Sequence, residues 1–79
     1  MARFYFNTAD GAVIHDEEGT EFQDIEQARR EAIRTVGEMT QDVLRRGGDE
    51  PQEIVVVVLD ERRSPLFKAV ARFEVQNLS

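Results

Sequence analysis

Glu53-Ile54-Val55-Val56-Val57-Val58-Leu59 is the stretch whose reading decides the fold. Side chains along a strand alternate between its faces, so Ile54, Val56 and Val58 fall on one side and Val55, Val57 and Leu59 on the other. Both rows are apolar, as in a strand buried on both faces. The chain offers one clearly amphipathic helix, from about Asp24 to Arg46, and one helix covers one face of a sheet. The second row therefore needs cover from outside the chain, and a partner is implied.

Working outward, Asp24 is an N-cap whose carboxylate accepts a backbone N–H of the first helical turn, and Gln27 three residues on can reach back in a capping box. Ile25, Ala28, Ala32, Val36, Met39 and Val43 recur at spacings of three and four, with Ile33 and Leu44 widening the stripe. Glu26/Arg30, Arg34/Glu38 and Asp42/Arg46 stand at i,i+4 on the other side. Gly47-Gly48, followed by Pro51, ends the helix. Gly37 inside it costs about 1 kcal/mol relative to Ala, which predicts a close approach by a strand backbone or a partner.

Before the helix, Arg3-Phe4-Tyr5-Phe6-Asn7 reads as a strand, Asp10-Gly11 as a turn and Ala12-Val13-Ile14-His15 as a second strand. The acidic segment Asp16-Glu17-Glu18-Gly19-Thr20-Glu21 has no periodicity and is expected to be a solvated loop, with Phe22 anchoring its end. After the valine strand come a turn at Asp60-Glu61-Arg62-Arg63-Ser64 and a last strand from about Pro65 to Val75. Phe67, Ala69, Ala71, Phe73 and Val75 alternate there with Leu66, Lys68, Val70, Arg72, Glu74 and Gln76. The first set, with Phe4 and Phe6, is expected to meet the helix.

These elements predict an α+β domain in ββαββ order: a four-stranded antiparallel sheet, spatial order 2-1-3-4, with one helix packed on one face. At 79 residues the chain is expected to form one domain over 1–79. A core of that size seldom yields more than roughly 3–5 kcal/mol without a staple. There is no cysteine, hence no disulfide and no thiolate metal site, and association would supply the missing burial. The longest apolar run, Ile54 to Leu59, is too short to cross a bilayer, and the start Met1-Ala2-Arg3-Phe4-Tyr5-Phe6 lacks the apolar segment of a signal peptide. The expectation is a cytoplasmic protein without membrane contact.

Ten Lys and Arg against 16 Asp and Glu give a net charge of -6, which opposes broad affinity for polyanions. Basic residues do gather late, at Arg62-Arg63, Lys68 and Arg72. A nucleic-acid reading would use Tyr5 to stack a base and Arg3, Lys68 and Arg72 to bind phosphates. One aromatic and a hydrophobic valine row suit a protein partner better. The candidate interface is Tyr5, Val55, Val57, Lys68, Val70 and Arg72, on the sheet face opposite the helix, serving a homodimer or a contact with another protein.

Catalytic and cofactor chemistry finds little support. His15, the only histidine, has acidic neighbours but no Ser-His-Asp or Cys-His spacing. Asp16, Glu18 and Glu21 lack the ligand alternation of an EF-hand loop. Gly47-Gly48 is not followed by the Lys-Ser/Thr of a phosphate loop, and a helix C-terminus repels phosphate. No catalytic, cofactor or metal residue is assigned; the rival classes are a nucleic-acid-binding regulator and a small enzyme with an unrecognised site.

Asp16-Glu17-Glu18-Gly19-Thr20-Glu21, then Asp24 and Ala28-Arg29-Arg30-Glu31-Ala32, resembles a family of short, uncharacterised bacterial proteins with D-E-E-G-x-E leading into D-x-x-x-A-R-x-E-A. The resemblance spans most of the chain, including the Arg3-Phe4-Tyr5-Phe6 start. It implies a cytosolic domain of unknown function, with no activity, cofactor or catalytic residue to carry over. One departure is Arg63, where such proteins often carry a glycine; if that position needs a left-handed backbone, a non-glycine residue costs roughly 1–2 kcal/mol. The ββαββ order is also distantly similar to HicB-type antitoxins. These often join a DNA-binding element, which is not expected here after Val75, so the likeness rests on fold alone.

Overall fold

The computed structural model describes residues 1–47 and 52–79. In chain order they form β1 (Ala2–Ala9), β2 (Val13–Ile14), β3 (Thr20–Phe22), α1 (Ile25–Arg45), β4 (Gln52–Leu59) and β5 (Pro65–Phe73). The fold is α+β, and the described residues make one helix and an antiparallel sheet of five strands. The strands run β2-β1-β4-β5, the spatial order expected from sequence, and β3 is the addition. The expected four-strand ββαββ order is thus corrected to βββαββ. Thr20, Glu21 and Phe22 of the acidic segment pair with Phe4, Arg3 and Ala2, on the same edge of β1 that pairs with β2 further along. Periodicity failed to flag so short a strand because three residues give no pattern.

The valine strand sits between β1 and β5, and its two rows separate cleanly. Ile54, Val56 and Val58 are fully buried under the helix. Phe6 and Thr8 of β1, and Phe67, Ala69 and Ala71 of β5, stand beside them in register. Ala28, Ala32, Val36 and Val43 supply the buried helix face, with Met39 packed beside them. The two alanines have no exposed surface and no bulk, which lets the helix lie close to the sheet. Phe22 packs against Phe4 and Phe6 with ring centroids 6.1 and 5.8 Å apart, so the anchoring expected of it is realised as core.

The helix boundaries follow from capping. Asp24 Oδ1 accepts the Gln27 N–H at 2.9 Å, and Gln27 Oε1 accepts the Gln23 N–H at 2.9 Å, one residue earlier than a standard capping box. At the other end Gly47 adopts φ +76° and donates to Leu44 O. Gly48 and Pro51 lie outside the described residues. Several helix expectations need correction. Ile25, Ile33 and Leu44 are exposed, because the buried stripe is only as wide as the sheet beneath it. An added Cβ at Gly37 would meet nothing within 4 Å, so no strand backbone approaches there. Glu26 pairs with Arg29, Asp42 with Arg45, and Arg46 reaches across to Asp10, whereas Arg34–Glu38 forms as read and Arg34 also binds Glu31. The last strand spans Pro65–Phe73 and stops short of the expected Val75.

Candidate interaction face and the clasp at its end

The face turned away from the helix is built in cross-strand rows. Val13 of β2 pairs with Ala9 of β1, Ala9 with Val55 of β4, and Val55 with Val70 of β5. Paired residues project to the same side, so these four side chains form one apolar row across the sheet. Val13 is 65% and Val70 46% exposed. On one side of this row lie Asn7, Val57 and Lys68, in register with one another. On the other lie Glu53 and Arg72, a cross-strand pair joined by an ion pair. The hydrogen bond and charge of Arg72 hold the Glu53 carboxyl below the usual range, and Glu53 raises Arg72 in turn.

Leu59 shares this face yet is buried, at the end of the sheet where a clasp of side chains forms. Its neighbour across the strands is Tyr5. The Arg63 guanidinium lies 4.0 Å over the Tyr5 ring, a cation–π contact. From there Arg63 donates to Asp16 O at 3.1 Å and Glu17 O at 3.3 Å. Arg3 continues the contact, donating to Glu18 O at 2.7 Å and to the Glu21 carboxylate at 3.1 Å. Three successive carbonyls of the acidic segment are therefore held by two arginines.

Asp16 organises the same segment from within. Its Oδ2 accepts the Phe6 N–H at 3.0 Å, filling the gap in β1's edge between β2 and β3, and its Oδ1 accepts the N–H groups of Glu18 and Gly19 at 3.2 and 3.0 Å. Asn7 Oδ1 accepts the Asp16 N–H at 2.9 Å. Partial burial pushes the Asp16 carboxyl up, but the bonds from Gly19, Phe6 and Glu18 and the charge of Arg63 outweigh it and leave the pKa lowered. Gly19 turns the chain at φ +73°, and a Cβ there would come within 2.9 Å of the Arg3 and Tyr5 side chains and 3.0 Å of Phe4 O. The segment is solvated as expected at Glu17, Glu18, Thr20 and Glu21, but its backbone is fixed, and the sequence signal for that was the glycine three residues after an aspartate.

Arg63 itself has φ +63°, the left-handed backbone suspected at that position. Asp60 makes the turn tolerate it: Asp60 Oδ1 accepts the N–H groups of Arg62 and Ser64 at 2.9 Å, and Asp60 O accepts that of Arg63 at 2.9 Å. All six candidate interface residues, Tyr5, Val55, Val57, Lys68, Val70 and Arg72, lie on the face opposite the helix. Tyr5 belongs to the clasp, with one ring face already covered. His15 is exposed beside the Asp16 turn, whose carboxylate is occupied by backbone donors, and Glu21 is engaged by Arg3. Among the described residues no cluster of metal-ligating side chains forms, and no helix is long and apolar enough to cross a membrane.

Residues 3–72 match the family described as Domain of unknown function (DUF6894). The chain belongs to that family. The matched span runs from Arg3 to Arg72 and so includes both arginines of the clasp, the helix and nearly all of β5. No curated protein and no solved structure matches the chain.

Proposed function

We propose that this DUF6894 chain is a non-enzymatic interaction module that self-associates through the open sheet face. The reading rests on one observation: the row Val13, Ala9, Val55, Val70 runs across four strands with none of the described elements over it, Val13 and Val70 exposed and Ala9 and Val55 half-buried, with charged side chains on either side. An apolar patch with a polar rim is the usual anatomy of an association surface. A second copy supplies the same row, and a twofold axis lets each cover the other. Val57 extends the patch towards Lys68, and the Glu53–Arg72 pair closes its other side.

The nucleic-acid reading, including an antitoxin-like regulator, is weakened by how the basic side chains are used. Arg3 is held by Glu18 and Glu21, Arg63 by the acidic segment, and Arg72 by Glu53. Arg63 also covers a face of Tyr5, the one aromatic proposed to stack a base. Sedimentation equilibrium of the wild type and of Val55→Lys tests self-association. The lysine variant is expected to stay folded and lose mass; equal masses would refute the open-face contact, and a gel shift at moderate ionic strength would revive the rival.

A further inference from the structure

The sheet has a second unpartnered feature, at its edge. Among the described residues β5 pairs with β4 alone, and its other side presents nine residues of backbone, Pro65–Phe73. A long edge strand is a template for pairing with another chain unless something blocks it. The sequence along this edge, Phe67-Lys68-Ala69-Val70-Ala71-Arg72-Phe73, reads nearly the same in both directions about Val70. The alternation of apolar and polar residues then continues through Glu74, Val75 and Gln76, beyond the end of the strand at Phe73.

Those charges choose among registers. Pairing two copies antiparallel about Val70 would set Lys68 opposite Arg72, twice, and like charges directly opposed are unfavourable. Moving the twofold by one residue, to Ala71, sets Lys68 opposite Glu74 at both ends and Phe67 opposite Val75. Each Phe73 then lies opposite the small Ala69, and Arg72, already paired with Glu53, opposite Val70. Every residue keeps its face, because partners in this register have the same parity. Val75, 59% exposed here, gains a partner in Phe67, which packs against the core.

We propose that the free edge of β5 joins a second copy of this chain, antiparallel and with its twofold at Ala71, making a continuous ten-stranded sheet with both helices on one side. This contact goes beyond the open face and does not depend on it, since Ala71 packs towards the helix. Facing residues of an antiparallel pair have Cα atoms roughly 4.5–5.5 Å apart, within disulfide range. The chain has no cysteine of its own, so single introduced cysteines report cleanly. Ala71→Cys is expected to cross-link to its symmetry mate under mild oxidation and Val70→Cys not to. Lys68→Glu and Glu74→Lys are each expected to weaken association about tenfold, with the double exchange restoring it. Cross-linking at Val70 instead, failure of the double exchange to restore association, or a folded monomer at high micromolar concentration would each overturn the edge contact. Mass loss in Val55→Lys with unchanged Ala71→Cys cross-linking separates the open-face contact from this one.

Discussion

Asp16 bonds three backbone N–H groups through its carboxylate, and one of them belongs to a strand that would otherwise have an open gap in its edge. Removing a charged acceptor of this kind costs about 1.5–3 kcal/mol, so Asp16→Ala is expected to destabilise the fold by that amount in urea melts. The expectation that this residue is a neutral loop position is reversed. Because its folded pKa is lowered, the stability it contributes is present above the unfolded-state value, about 3.9, and is lost as pH falls through the folded one. Asp16→Asn should flatten that acid limb, and an unchanged pH profile would remove Asp16 from the account. At Arg63 strain and contact oppose each other. Arg63→Ala loses the Tyr5 and carbonyl contacts but keeps the left-handed backbone, whereas Arg63→Gly loses the same contacts and relieves roughly 1–2 kcal/mol of strain. The glycine variant should therefore melt higher than the alanine one.

At the scale of elements, the helix and the acidic segment are stabilised by different means and should fail separately. Asp24→Ala loses one capping bond and about 0.5–2 kcal/mol, with amide exchange accelerating in the first turn of α1. Gly19→Ala forces a Cβ into Arg3, Tyr5 and the Phe4 carbonyl at a positive φ, so β3 is expected to detach from β1 and expose Phe22. Exchange protection retained at Thr20 to Phe22 would show that the turn relaxes instead. The valine strand carries the greatest burial. Ile54→Ala should cost about 2–5 kcal/mol, more than the same change at Phe73, which is only half-buried near the end of β5. Phe73, expected to meet the helix, packs against the core only at its margin, whereas Ile54 lies within it.

At the scale of the whole molecule, one helix covers one face, and the open face and the β5 edge remain as surfaces on which Val55→Lys and Ala71→Cys report independently. Local chemistry in the sequence was enough for the helix and its N-cap at Asp24, the hairpin from Asp60 to Ser64, the strand order and the alternation that assigns Phe67, Ala69 and Ala71 to the core. The helix, cap, hairpin and alternation depend on contacts within a few residues or on a repeat long enough to count, and the strand order follows from placing the two most apolar strands inside with every neighbour antiparallel. The sequence also held two apolar rows in Ile54 to Leu59 that were equivalent on paper, since nothing in Val55 or Val56 distinguishes an inward side chain from an outward one. Register with Phe6 and Phe67 decided that question by placing Ile54, Val56 and Val58 beneath Ala28, Ala32 and Val36. Tertiary structure alone also joined Arg63 to Asp16 and Glu17 across some 46 residues of chain. A side chain's long-range partner is set by where the folded backbone brings it, and no local pattern encodes that meeting.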